Sequence, residues 1–358
     1  MDEQKTDGNK PSGLLLPSER FWVNIQPLLL KHGYRLRPRY DPDWVPSWIK
    51  QKTLSTYDPA SCPDAISTRW PNLLDAVRVS DGTKVVVKKV YTHEDIPVLE
   101  FLTSPKLLAD PRNNTVPILD VIPLPNDDVF TLIVMPFLYN FESDLTPFRH
   151  VSEVLDALKQ FIQGLAFLHE QRIAHRDICY LNLMMDPTKV IPGGFHFVKR
   201  YLQDDLRTWI VFRDRRSVSP VKYYIVDYEF ARFYAPGEKS IGRMGQDRTV
   251  PEMSNTIPYD PFKTDVYQLG RTIPRLSDAY DGLDFLKPLG NAMTEQDPEK
   301  RVTAAEAFER YLELVSSLNK AHLSRRIWPR NKSRPERLTI IFSSFWRRHF
   351  MLLFPGRS

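Results

Sequence analysis

Apolar and polar positions change period along the chain. LLDAVRV and KVVVKKV are two β-rich runs around the turn SDGT, and Asp81-Gly82 between them predicts a hairpin. THEDIPVLEFLTS predicts a short helix, and VPILDVIPL and VFTLIVMPF predict further strands, so strands dominate up to about residue 137. Beyond that point apolar residues fall at 151, 154, 155, 158, 161, 162, 165 and 168, a stripe wide enough for a core helix. KTDVYQLGRTI, GLDFLKPLGNAM and TAAEAFERYLELVSSL keep the helical period. The outline is α+β, a small β-rich lobe over 70–137 and a larger, mainly helical lobe over 138–320.

Two segments precede this core. Residues 1–17 are expected to be a flexible leader, and 18–69 an amphipathic helix followed by a brace. The helix starts near Ser18, carries apolar residues at 21, 22, 25, 28 and 29, and stops at Gly33. Its stripe requires something to pack on. RLRPRYDPDWVPSWIK after it is too rich in Pro and Trp for a free linker and is expected to run along the surface of a folded domain.

Composition narrows the class. With 42% hydrophobic and 26% charged residues, the 358-residue chain can bury a sizeable core, which excludes a disordered, collagen-like or rod-like protein. Two cysteines, Cys62 and Cys179, supply neither a disulfide framework nor zinc-ligand spacing, so an intracellular, cytoplasmic or nuclear setting is expected. No secretory signal and no transmembrane run are visible. The net charge of +5 belongs to the end of the chain, because residues 321–358 hold nine Lys/Arg against one Glu. That basic, aromatic tail is expected either to meet anionic lipid or another polyanion, or to pack back on the domain.

The chemistry gathers around IAHRDICYLNLMMD, where Asn182 follows Asp177 by five residues. His-Arg-Asp with Asn at that spacing resembles the catalytic loop of the protein kinases. Further motifs follow in the same order. Val85-Val86-Val87-Lys88 resembles the strand whose lysine contacts ATP phosphates and pairs with a helix glutamate, for which Glu100 is the candidate. Asp227 stands where the kinases carry a magnesium-binding Asp-Phe-Gly. Val250-Pro251-Glu252 resembles Ala-Pro-Glu, Arg301 its buried partner, and Asp265 the helix residue that braces the catalytic loop.

The resemblance spans about residues 70–317, and its finer texture is similar to the kinase-like proteins abundant in mushroom-forming fungi. It implies a two-lobed protein-kinase-like fold that binds ATP and Mg and transfers phosphate to a Ser/Thr hydroxyl of a protein substrate. By the same resemblance Asp177, Lys88 and Asn182 carry catalysis, and Asn182 and Asp227 hold the metal. Met135 takes the gatekeeper position, with the Pro136 carbonyl and Leu138 amide toward adenine, and Glu142 or Asp144 toward the ribose. Proline keeps its carbonyl acceptor, so Pro136 does not forbid this pairing.

Four features depart from the kinase pattern. No glycine occurs between Ser67 and Val79, Asp-Phe-Gly has become Asp227-Tyr228-Glu229, and Cys179 replaces a phosphate-steadying lysine. Asn182 and Asp227 lie 45 residues apart, which implies an insertion near 187–220. Two alternatives stand beside an active protein kinase. One is a pseudokinase acting as a nucleotide-binding or scaffolding module; the other is a small-molecule kinase, which the Asp-Tyr-Glu favours and the Val-Pro-Glu with its Arg disfavours.

Overall fold

The computed structural model describes residues 15–50, 62–68 and 70–338. It is a mixed α+β structure that divides into two compact units. The first comprises Met1–Phe141, Met184–Arg213 and Ser217–Ala231; the second comprises Glu142–Leu183, Asp214–Arg216 and Arg232–Ser358. Most of the expected 187–220 insertion therefore belongs to the first unit. Nearly all of the leader expected over 1–17 lies outside the described residues. Among the described residues no helix is long and apolar enough to cross a membrane.

The first unit is built on an antiparallel sheet of β1 (Tyr34–Leu36), β2 (Leu73–Arg78), β3 (Lys84–Tyr91), β4 (Asp120–Leu124) and β5 (Asp127–Pro136). Its strand order is β1-β2-β3-β5-β4. The β2–β3 hairpin closes at Gly82, whose φ of +73° suits glycine far better than a residue with a side chain. Alternation along KVVVKKVY then sorts the sheet into two faces. Val85 and Val87 turn to one side and are fully buried with Leu74, Leu132 and Val134. The helix Arg20–Lys31 covers that side, placing Trp22 and Leu29 in the same core and tying the Trp22 indole N–H to the Pro71 carbonyl at 3.0 Å. Burying each of those two side chains is worth about 2–3 kcal/mol.

The segment after this helix does not merely line a surface. Tyr34–Leu36 is an edge strand paired with β2, Tyr34 opposite Arg78, and Tyr40 and Arg39 are buried. The Pro/Trp texture disguised a long-range pairing that no local pattern encodes. Arg39 meets Glu19 in a buried, two-pronged ion pair, Nε–Oε1 2.8 Å and Nη2–Oε2 2.9 Å, and Tyr40 Oη adds a third bond at 3.1 Å.

The second unit is centred on the helix Val151–Glu170, most of whose apolar stripe is buried. Helix Ala304–Ser316 packs on it, with Tyr311 Oη donating to the Leu155 carbonyl at 2.8 Å. Glu153 anchors its first turn by accepting from the Arg149, His150 and Arg216 amides. Burial pushes this carboxyl up, but His150 and those amides outweigh it and bring it down to about 2.

The described half of the basic tail packs back on this unit. Trp328–Pro329 pairs with Tyr280–Asp281, Ile327 is buried, and both Arg330 and Arg337 reach Asp281. The rest of the tail, 339–358, lies outside the described residues.

Removing one member of a buried ion pair strands the other charge, at about 3–5 kcal/mol. Glu19→Ala should therefore lower the unfolding free energy by that amount in urea denaturation at pH 7. Burial raises the Glu19 carboxyl, yet the Arg39 and Tyr40 bonds, the Leu16 amide and the Arg39 charge hold it below its ordinary range. Its contribution is accordingly complete at neutral pH and fades as pH falls through the acid range. A loss below about 1 kcal/mol would show that the pair is not what fixes the helix to the chain after it.

Candidate functional site

The motif residues form one group in each unit. In the first unit Lys88, at the middle of β3, extends its ammonium to Asp227, with Nζ 2.5 Å from Oδ1. Asp227 follows the strand Tyr223–Ile225 and holds φ at +68°, a left-handed conformation that aspartate tolerates better than most residues with a Cβ. Tyr228 behind it is buried and donates to Thr115 Oγ1 at 3.1 Å, which fixes the turn that aims the carboxylate.

Glu100 makes no ion pair with Lys88 among the described residues. It lies on the exposed side of helix Ile96–Leu102 and borders a separate hollow of about 160 Å³ with Leu99, Asp120 and Val121. Besides Asp227, the buried acid near Lys88 is Asp95, just before that helix. It is buried and accepts the Tyr91 amide at 2.8 Å through Oδ2, while Oδ1 is buried without a hydrogen bond. Lys88, Asp95, Asp227 and Glu229 line one small cavity of about 10 Å³ with Met135. Burial raises the Asp95 carboxyl to about 6 against the pull of the Tyr91 amide and the Lys88 charge, and Glu229 and Asp227 add to the rise. Nothing in the local sequence pattern pointed to Asp95.

Met135 and Pro136 close β5 opposite Val86 and Val85. The Leu138 carbonyl accepts from Arg200 Nη2 at 2.7 Å. Arg200 comes from the insertion, and no kinase-like motif pointed to it.

In the second unit Asp265, fully buried, grips the loop through its backbone. Its Oδ2 accepts from the His175 amide and its Oδ1 from the Arg176 amide, each at 2.7 Å, and His169 Nε2 lies 3.1 Å from Oδ2. These bonds hold Arg176 at φ +66°. Asp177 beyond it is buried and well supplied with donors. Asn182 Nδ2 donates to its carbonyl at 2.8 Å and to Oδ2 at 3.0 Å, and the Gln246 amide donates to Oδ1 at 2.7 Å.

Gly245 makes that last contact possible. A Cβ there would lie 2.5 Å from Asp177 Oδ1 and 2.9 Å from the Arg176 carbonyl, at a φ of +76°. Arg301 clasps Glu252 at 2.5 and 3.0 Å in the manner the motif implied. Glu142, a ribose candidate, is engaged within this unit by Tyr280 Oη at 2.8 Å and by Tyr180 Oη. Cys179 is a neutral thiol and supplies no cation: burial and then the Asp177 charge push it up to about 11, so it does not ionise near neutral pH. An open hollow of about 720 Å³ bordered by Cys179, Gln246, Arg271 and Arg275 adjoins the loop.

No family model matches the chain. A light-sensor protein kinase of Ceratodon purpureus is 26% identical over 152 residues, which covers 42% of this chain and 11% of that protein. The chain thus spans about a tenth of the length of that relative. The match is a distant, partial one to a protein kinase.

Asp95 ionises later in the folded chain than in the unfolded chain, so the folded state binds more protons between pH 4 and 6 and loses stability as pH rises through that window. Asp95→Asn keeps an acceptor for the Tyr91 amide and removes the titration. The variant should gain on the wild type by up to about 3 kcal/mol between pH 4 and 7, read from denaturation midpoints. Parallel pH profiles for the two proteins would mean that Asp95 is not held in this environment.

Proposed function

We propose that the chain is a protein-kinase-like phosphotransferase that uses ATP and magnesium and acts on a Ser/Thr hydroxyl of a protein. The observation that carries this reading is the Lys88–Asp227 pair, which joins a cation and a carboxylate 139 residues apart at the two positions the kinase motifs assign to phosphate and metal. The finer resemblance to kinase-like proteins of mushroom-forming fungi is part of the same proposal.

Each unit offers an oxygen donor that suits magnesium. In the first, Asp227 Oδ2 has no hydrogen bond among the described residues, and in the second, Asn182 turns its NH₂ to Asp177 and leaves its amide oxygen available. A hard cation takes carboxylate and amide oxygens together with substrate phosphate oxygens, and no cluster of three or more His, Cys, Asp or Glu ligands occurs among the described residues. The ion would supply charge neutralisation to the phosphates. Lys88 would neutralise a further phosphate oxygen, and Asp177 would accept the hydrogen bond of the incoming hydroxyl and orient it. Cys179 leaves one fewer cation for the transferring group, so turnover should fall below the roughly 1–100 s⁻¹ of typical kinases.

A second reading, a pseudokinase, is favoured by one contact: the Gln246 amide occupies Asp177 Oδ1, the acceptor that a substrate hydroxyl needs.

Single-turnover transfer from labelled Mg-ATP to generic protein acceptors separates the two. Asp177→Asn should reduce transfer at least about 100-fold and leave nucleotide affinity unchanged. Asp227→Asn should weaken both. Nucleotide binding with no transfer to any acceptor would establish the pseudokinase instead.

Gly245→Ala tests the positioning of the carboxylate. The added methyl meets Asp177 and an unfavourable φ costing about 1–2 kcal/mol, so transfer should fall while Mg-ATP affinity holds. Wild-type transfer by this variant would show that Gly245 does not set the carboxylate.

A further inference from the structure

The sheet face opposite the Trp22 core holds Lys84, Val86 and Lys88 from β3, with their partners Val77, Asp75 and Leu73 from β2 and Met135 beside Val86. The Lys88 end belongs to Asp227. The other end is covered by the insertion. Lys84 Nζ donates to the Phe195 carbonyl at 2.8 Å and pairs with Asp204. Phe195 stacks on Phe137, centroids 4.4 Å apart and planes 15° from parallel, and Phe197 meets Trp70 edge-on at 5.4 Å. Arg200 sits over the Tyr139 and Phe195 rings at 4.8 and 5.2 Å while donating to the Leu138 carbonyl. Val86 is left only 8% exposed.

The covering segment is itself ordered by short-range bonds. The His196 amide donates to the Leu202 carbonyl at 2.8 Å, and His196 Nδ1 accepts from the Val198 and Lys199 amides. Burial, then Arg37, Lys84 and Lys199, bring the imidazole down to about 3, so it stays neutral where it is packed. Its outer attachment is weaker, because the Lys84–Asp204 pair is open to solvent on the Asp204 side, which is 58% exposed.

These groups offer residues 136–138 what a purine would offer: a flat π surface against an apolar wall and an N–H donor aimed at a backbone carbonyl. We propose that residues 195–204 are an intrachain strap occupying the adenine end of this face, so that a purine nucleotide binds only when the strap is displaced. The proposal rests on the nucleotide-binding reading given above. Arg200 is its specific competitor, since a guanidinium on the Leu138 carbonyl and an adenine edge along residues 136–138 claim the same space.

The test uses the full chain and Mg-ATP. Arg200→Met keeps an unbranched apolar stem under the rings and removes the donor, and Asp204→Ala loosens only the exposed attachment. Equilibrium titration should give affinity at least tenfold tighter for Arg200→Met with Asp204→Ala, and severalfold tighter for Asp204→Ala alone, which guards against a folding defect in the double variant. In the wild type, saturating Mg-ATP should speed hydrogen exchange at the amides of His196, Leu202 and Gln203 at least tenfold. Unchanged or weaker binding by folded Asp204→Ala, or wild-type binding with those amides still protected, overturns the strap while the nucleotide reading stands. Failure of every variant and the wild type to bind Mg-ATP removes the nucleotide reading and the strap with it.

Discussion

An ammonium on a half-buried strand is costly unless a carboxylate meets it, and in the first unit that carboxylate is Asp227. The pair constrains more than two side chains. Lys88 is fixed by the register of β3 between β2 and β5, and Asp227 by a left-handed turn behind which Tyr228 is buried on Thr115. Bringing the charges together therefore requires the sheet and the strand Tyr223–Ile225 to be folded. The outer face, with Trp22, Leu29 and the Glu19–Arg39 pair, supplies the apolar and ionic support that keeps this register from sliding.

The second unit solves a related problem through backbone amides. A residue such as Arg176 with positive φ needs its conformation over-determined, and Asp265 does this by accepting two successive amides from beneath. The Cα–Cβ direction of the next residue, Asp177, is thereby set, and its carboxylate is then held by its own donors. Asn182 then spends its NH₂ on that carboxylate and carbonyl, which couples the orientation of one motif residue to the other. The chain just before the helix Pro261–Gly270 is held differently, by the side-chain ion pair of Arg301 with Glu252.

Local pattern made much of this legible. The hairpin followed from Asp81-Gly82 between alternating runs, and the core helix from its 151–168 stripe, because both depend on neighbours a few residues away. What failed depended on distance. Tyr34–Leu36 looked like connector because its partner strand lies some forty residues on, at Ala76–Arg78. Glu100 is the candidate partner that PVLEFL offers, yet it is exposed, and the buried acid near Lys88 is Asp95 ahead of the helix, while the ion pair itself goes to Asp227. Arg200 on Leu138 and Gln246 on Asp177 had no local signal at all: an arginine in an insertion and a backbone amide after a glycine look the same whether or not they reach a site.

These last two contacts share a physical logic. A buried acceptor with no donor costs free energy, so a ligand-free chain gains by covering the groups that a ligand would use. Here the chain's own guanidinium takes the Leu138 carbonyl and its own amide takes the Asp177 carboxylate. On the nucleotide reading, a ligand group approaching from the same side as either donor competes with it, and its apparent affinity is reduced by the fraction of chains in which that approach is open. The consequence differs between the two. Gln246 is exposed and Gly245 before it accepts a wide range of φ, so its amide can withdraw by local movement of the loop. Arg200 is held by two rings, and the segment carrying it by Lys84 and Phe137, so release of its guanidinium has to move several residues together. On the nucleotide reading, cooperative release would make the Arg200 contact with Leu138 the more demanding barrier, and the insertion rather than the loop around Asp177 would then be the place where binding is controlled.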